Sequence, residues 1–256
     1  MILLDAHVHV YPFYDLSRFF DAALANMPPP PGDPAPRRVL ALAERHDCHF
    51  FASLLDGSAT LPAPWRIASA APGAITLARG DAPDAATLAF LPGRQIAPRE
   101  RIELCALGTD AAIPDGLSAG ETFDAILAAN ALPVLNWAPG KWLFKRARVI
   151  NALMARRPLA LCETSLHPLG WPTPLAIRRA RRLGLPVFAG SDPLPVTGEE
   201  CLAGSCHAIL DTPLPPASLL PALSALQPAR LVLSRPSPFA LFRRLSAHKK
   251  ASRPNP

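Results

Sequence analysis

Near the start of the chain, Asp5-Ala6-His7-Val8-His9-Val10 alternates a carboxylate and two imidazoles with small or branched apolar residues. Residues two apart on a strand point to the same side. The pattern therefore predicts Asp5, His7 and His9 on one face, with Leu4, Ala6, Val8 and Val10 on the other. Two neutral imidazoles on one face can hold a divalent metal such as zinc, manganese or iron. The competing reading is a pair of hydrogen-bonded core histidines, and the regular alternation with Asp5 favours the metal.

Such a metal needs donors from other strand ends. Gly190-Ser191-Asp192 closes the apolar run Pro186–Gly190. Asp192 suits a metal ligand or a general base, although Pro193 after it also fits a simple turn cap. Glu103 lies in the otherwise apolar run Arg101–Leu107. A carboxylate buried there needs a metal or a cation, such as Arg94 or Arg101. Gln95, Asn136 and Glu163 also fall near strand ends, where they can contact substrate or satisfy backbone groups. His167 follows the strand-like run 160–164 and can serve as an acid, a base or a further ligand. His46 and His49 flank Cys48 at an expected helix end and read as structural. In Trp137-Ala138-Pro139-Gly140-Lys141-Trp142, a glycine and a lysine stand just before an expected helix, a suitable anion-binding corner. Arg146 follows one turn later, and Trp137 would line the substrate.

These segments carry a resemblance. The opening Asp-x-His-x-His, Gly93-Arg94-Gln95-Ile96, Pro133–Pro139 and Gly190-Ser191-Asp192 occur in the order seen in the polymerase and histidinol phosphatase (PHP) family. The resemblance covers most of residues 1–195 and is more broadly similar to amidohydrolase-like proteins. It implies a seven-stranded, distorted TIM-like βα-barrel that hydrolyses phosphoesters with bound metals. His7 and His9 look like the first-strand ligands and Asp192 like the late-strand ligand. The chain departs from the family elsewhere: Gln95 replaces a glutamate, Asn136-Trp137 replaces a histidine, and Pro193-Leu194 replaces Ala-His. Asp56 is the best match to the second-strand acid, and Glu103 falls near a family histidine. The remaining set implies one metal on His7, His9, Asp192 and Glu103, or a barrel that has lost its metal and binds a ligand or partner without chemistry.

The elements expected to position these residues alternate in type. Strands are expected at 2–10, 49–56, 75–79, 87–91, 101–108, 133–137, 160–164 and 186–190. Helices are expected at 15–27, 37–46, 119–131, 142–156, 173–184, 216–226 and 238–247. Continuous apolar strands between amphipathic helices indicate a parallel α/β architecture. No glycine-rich nucleotide loop follows any strand, which favours a single βα-barrel over a doubly wound sheet. One domain is expected over 1–246, with a proline-rich loop at 28–36 and a basic flexible tail at 247–256.

Of 256 residues, 50% are hydrophobic and 18% charged, which excludes a mainly disordered chain. No apolar run is long enough to span a bilayer, and the N-terminus lacks a basic signal-peptide region. Five cysteines without a paired spacing fit reduced thiols, so the chain is expected in the cytoplasm. The net charge of +6 is concentrated after residue 242, where Arg243, Arg244, Lys249, Lys250 and Arg253 have no acidic neighbour. Such an end reads as solvated rather than as a nucleic-acid arm. Together these readings predict a metal-dependent hydrolase, of phosphoesterase type, acting on a small anionic molecule rather than on a membrane or nucleic acid. Asp192, Glu103 and His167 are its expected catalytic groups. Lys141, Arg146, Asn136, Gln95 and Trp137 are its expected substrate contacts.

Overall fold

Residues 2–8 are buried without interruption, and they become a central strand rather than a surface one. The computed structural model describes residues 1–33 and 35–251. In chain order its elements are β1 (Ile2–Val8), α1 (Leu16–Asn26), β2 (Arg37–Leu42), α2 (Phe50–Leu55), β3 (Trp65–Ala71), β4 (Ala74–Arg79), β5 (Thr87–Leu91), β6 (Gly93–Ile96), β7 (Leu104–Leu107), α3 (Ala119–Ala128), β8 (Leu132–Asn136), α4 (Lys145–Leu153), β9 (Ala160–Thr164), α5 (Leu175–Arg182), β10 (Val187–Gly190), β11 (Cys206–Leu210), α6 (Pro216–Ala222), β12 (Arg230–Leu233) and α7 (Pro238–Ala251). A short 3-10 turn, Glu199–Leu202, precedes β11.

The strands form two sheets, and the expected closed βα-barrel is not found. One sheet has seven strands in the order β12-β11-β1-β2-β5-β4-β3; the other has five, β10-β9-β8-β7-β6. A TIM-like barrel requires each strand to be followed by a helix and to run parallel to its neighbours. Here β3–β4, β4–β5, β6–β7 and β11–β12 pair antiparallel as successive strands. Links as short as Pro72-Gly73 allow only a hairpin return. Among the described strands, parallel pairing is confined to β1–β2, β2–β5, β8–β9 and β9–β10, and an isolated parallel bridge joins Glu44 to Arg94.

The two sheets meet along two seams. At one, Asp192 N–H donates to the His7 carbonyl at 2.9 Å, and Gly190 packs on the His7 backbone. A Cβ on Gly190 would lie 2.5 Å from the His7 Cβ, so only glycine fits. At the other, Glu44 N–H donates to Gly93 O and Gln95 N–H donates to Glu44 O, each at 2.9 Å. A Cβ on Gly93 would lie 2.1 Å from the Leu42 carbonyl oxygen.

Between the sheets, Ile2, Leu4 and Ala6 pack with Cys105, Val134, Cys162 and Phe188. Leu3, Val8 and Val10 instead join Phe19, Phe20 and Phe51 on the outer, helix-covered side. The parity of β1 thus changes between Ala6 and Val8, where its pairing with β2 shifts register. A one-residue irregularity exchanges the two faces of a strand. His7 and His9 consequently share the inter-sheet side, and Asp5 faces the other way. This corrects the expectation that all three share one face.

Two expected elements exchange type. Residues 37–46 read as a helix because Leu, Ala, Glu and Arg are good helix formers, yet Arg37–Leu42 is β2, held between β1 and β5. Residues 49–56 read as a strand, yet Phe50–Leu55 is α2, burying Phe51 and Leu54 one turn apart. The carboxylate of Glu44 accepts from Phe51 N–H at 3.0 Å and caps α2, whose N-cap residue His49 makes no side-chain cap. Helix α7 runs to Ala251, so residues 247–251 of the expected tail are helical and 252–256 lie outside the described residues. Pro34 of the proline-rich loop also lies outside them. Among the described residues no helix is long and apolar enough to cross a membrane.

Candidate metal site

The C-terminal ends of β1 and β10 converge on one point. His9 Nε2 lies 3.1 Å from His7 Nε2, and Asp192 Oδ1 lies 3.5 Å from His7 Nε2 and 3.6 Å from His9 Nε2. All three residues are buried. Metal bonds of 2.0–2.1 Å in tetrahedral geometry separate adjacent donor atoms by about 3.3 Å. The triangle therefore matches one face of such a site, and these residues fit a metal with a fourth position open. Among the described residues this is the group of His, Cys, Asp and Glu donors close enough to share an ion.

Backbone and second contacts hold the triangle. Asp192 adopts a left-handed conformation, φ 46°, with its N–H on the His7 carbonyl. A non-glycine residue pays for such a conformation, and persistence of one beside converging donors fits a functional site. On the far side of His7, Nδ1 lies 3.5 Å from Cys105 Sγ, which accepts from Asn136 Nδ2 at 2.9 Å. Metal-binding imidazoles are oriented by such contacts on the second ring nitrogen. Asp5 accepts from the N–H groups of His7 (3.3 Å), Ser191 (2.9 Å) and Gly204 (2.9 Å). It fastens β1 to the loop after β10 instead of binding a ligand.

Burial dominates the electrostatics. It pushes the Asp5 carboxyl up to about 7, against the hydrogen bonds from Ser191, Gly204 and His7 that favour its anion. Burial likewise raises Asp192, with the positive charge of His7 opposing it. Burial disfavours the His7 cation, yet its interactions with Cys105 and Asp192 outweigh that and raise its value to about 10. His9 is held well below its ordinary value by burial, by His7 and by Arg45.

A cavity of about 250 Å³ opens onto His9 and Asp192. Gln95, Glu103 and Lys141 line it, together with Arg45 and His248. Glu103 is not one of the three converging donors; its carboxylate is ion-paired with Lys141. Register explains its position: Leu104 pairs with Leu135, which sets Glu103 beside the end of β8. Arg146 is absent from the cavity wall, and its guanidinium donates to Gly140 O at the surface. Asn136 acts behind the site, on Cys105. The rings of Trp137 and His167 lie 4.8 Å apart, tilted by 50°, along a different cavity.

Sequence reasoning missed three contributors. Cys105 reads as a small hydrophobe, although its spacing of two from Glu103 indicates the same strand face. Arg45 lay in a segment expected to be helical. Arg244, grouped with the solvated basic end, makes three bonds to Glu199 at 2.8, 3.2 and 2.7 Å and reaches Asp192 O at 3.4 Å. It ties α7 over the cavity, where Leu245 and His248 complete the wall.

No family model matches the chain, and no curated protein matches its sequence. Among solved structures, the crystal structure of PsfC from Pseudomonas syringae PB-5123 is similar in fold, with a TM-score of 0.60 and 15% identity over 98% of each chain.

Proposed function

We propose that the chain is a metal-dependent hydrolase of phosphoesterase type, resembling the PHP family in its donor set and acting on a small anionic substrate. The observation that carries this reading is the His7–His9–Asp192 triangle, whose edges of 3.1–3.6 Å match tetrahedral coordination. Three protein ligands with an open position are the pattern of catalytic rather than structural zinc. A bound divalent metal supplies a Lewis acid and a water acidic enough to be ionised near neutral pH.

The chain's own residues do the rest. Lys141 and Arg45 attract the anionic group into a cavity sized for a small molecule, about 250 Å³. Glu103, held by Lys141, stands ready to accept or return a proton at its carboxylate. Asn136 and Cys105 keep the His7 ring oriented. Arg244 holds the Asp192 backbone, and α7 excludes water from one side. Five free cysteines, four of them buried, suit a cytoplasmic setting.

One observation favours a second reading, a chain without chemistry that binds a ligand or partner. Glu103 pairs with Lys141 instead of supplying a fourth donor. Turnover of p-nitrophenyl phosphate and a panel of phosphorylated metabolites, with zinc or manganese added, separates the two. The hydrolase reading predicts metal-dependent phosphate release that His7→Ala/His9→Ala abolishes, with Lys141→Ala raising KM more than it lowers kcat. Ligands that bind the metal-loaded protein without being turned over would leave the second reading standing.

A further inference from the structure

The loop between β8 and α4 has a second cavity on its other side. This cavity encloses about 510 Å³ between α4 and α5, a volume in the range of small-molecule sites. Its walls are mainly apolar, with the rings of Trp137, Trp142, Phe144 and Trp171 on them. Phe144 is 90% exposed and Trp171 52% exposed, and the Phe144 backbone is held at a positive φ of 56°. Such aromatic exposure at a concave mouth is costly for a surface that stays wet.

One wall carries a built polar group. His167 is fully buried, and its Nδ1 lies 2.6 Å from Glu163 Oε1, which also accepts from Arg235 at 2.5 Å. Arg235 and Glu163 neutralise each other, so a neutral imidazole leaves no net buried charge. With Nδ1–H given to Glu163, Nε2 carries the lone pair, and among the described residues it has no hydrogen-bond partner. A buried acceptor without a donor is unfavourable unless a ligand supplies one. On α5, Arg179 and Arg182 also line the cavity.

We propose that this cavity binds an aryl or alkyl carboxylic acid bearing a hydroxyl group. The apolar body lies among the indole rings, the hydroxyl donates to His167 Nε2, and the carboxylate meets Arg179 and Arg182. The site is independent of the His7–His9–Asp192 triangle and needs no metal.

Calorimetric titration with three probes tests it: 4-(4-hydroxyphenyl)butanoate, 4-phenylbutanoate, which lacks the hydroxyl, and 4-(4-hydroxyphenyl)butan-1-ol, which lacks the carboxylate. On the wild-type chain the hydroxy acid should bind roughly five- to tenfold more tightly than either truncated probe, the effect of one lost hydrogen bond or ion pair. His167→Phe should abolish the preference for the hydroxyl and keep that for the carboxylate. Arg179→Gln/Arg182→Gln should do the reverse. The probe comparison on the unmutated chain stands even if His167→Phe fails to fold, and His167→Gln provides a polar variant. Equal binding of all three probes, or none, overturns the proposal. So does a mass by light scattering that doubles with concentration and returns to that of one chain in Phe144→Ser, because a second copy would then cover the mouth.

Discussion

Asn136 illustrates how a single residue can serve the site without touching its cavity. Its amide donates to Cys105 Sγ, which in turn abuts His7 Nδ1. Asn136→Leu should therefore leave the three donors in place but weaken zinc affinity by about 10- to 100-fold, measured by competition with a chelating dye. Unchanged affinity would remove Asn136 from the supporting set. Glu44 tests burial at the same scale. Its side chain is 1% exposed, and desolvation lifts its carboxyl from 4.5 to about 7, with Arg94 and the α2 N–H groups opposing the lift. The folded chain then binds more protons than the unfolded one between these values, so stability falls as pH rises through that window. Urea unfolding from pH 4.5 to 7 should show wild type losing up to ~1.4 kcal/mol per pH unit relative to Glu44→Gln. Parallel profiles would contradict the assignment. At this scale the sequence is most readable where spacing is strict. His7 and His9 are two apart beyond the register shift and share a side, whereas Asp5 lies before it and does not.

Among the elements, the approach of β10 to β1 decides whether the site forms. Gly190 sits against the His7 backbone, and an added methyl would collide with atoms that cannot swing away. Gly190→Ala should cost about 1–3 kcal/mol in unfolding free energy, and it should reduce bound metal because His7 must move. Full metal content at lowered stability would show that the seam can yield without disturbing His7. Element types were legible where amphipathic spacing was long and capped. Ser118 and Glu121 form a reciprocal capping box at α3, and α7 begins where expected. They were illegible at β2, where both edges pair with other strands and a run of helix-forming residues is overruled. Strands β3, β6, β11 and β12 escaped notice: β6 and β12 span only four residues each, and β3 is mostly exposed and carries no apolar alternation.

For the whole molecule, the donors come from both sheets: His7 lies in β1 of the first sheet and His9 just after it, and Asp192 follows β10 of the second. A metal bound there clamps the two sheets together. Zinc at one hundred times its Kd should stabilise the chain by about 2.7 kcal/mol, read as a rise in Tm that a chelator reverses. Asp192→Asn should blunt that rise; an equal rise in the variant would place the metal elsewhere. The barrel expectation failed at this scale because alternating apolar runs do not encode whether a connection crosses over or turns back. Pro72-Gly73 between β3 and β4 turns back, and the sheets separate accordingly. The ends of β1 and β10 still meet, so His7, His9 and Asp192 converge although the expected architecture is absent.

Metal content is the most direct test of the central claim. Untagged chain dialysed against zinc, then against metal-free buffer, can be measured by elemental analysis beside His7→Ala/His9→Ala. The account predicts about one zinc per wild-type chain and essentially none in the double variant. Equal zinc in both proteins, or none in either, would contradict it.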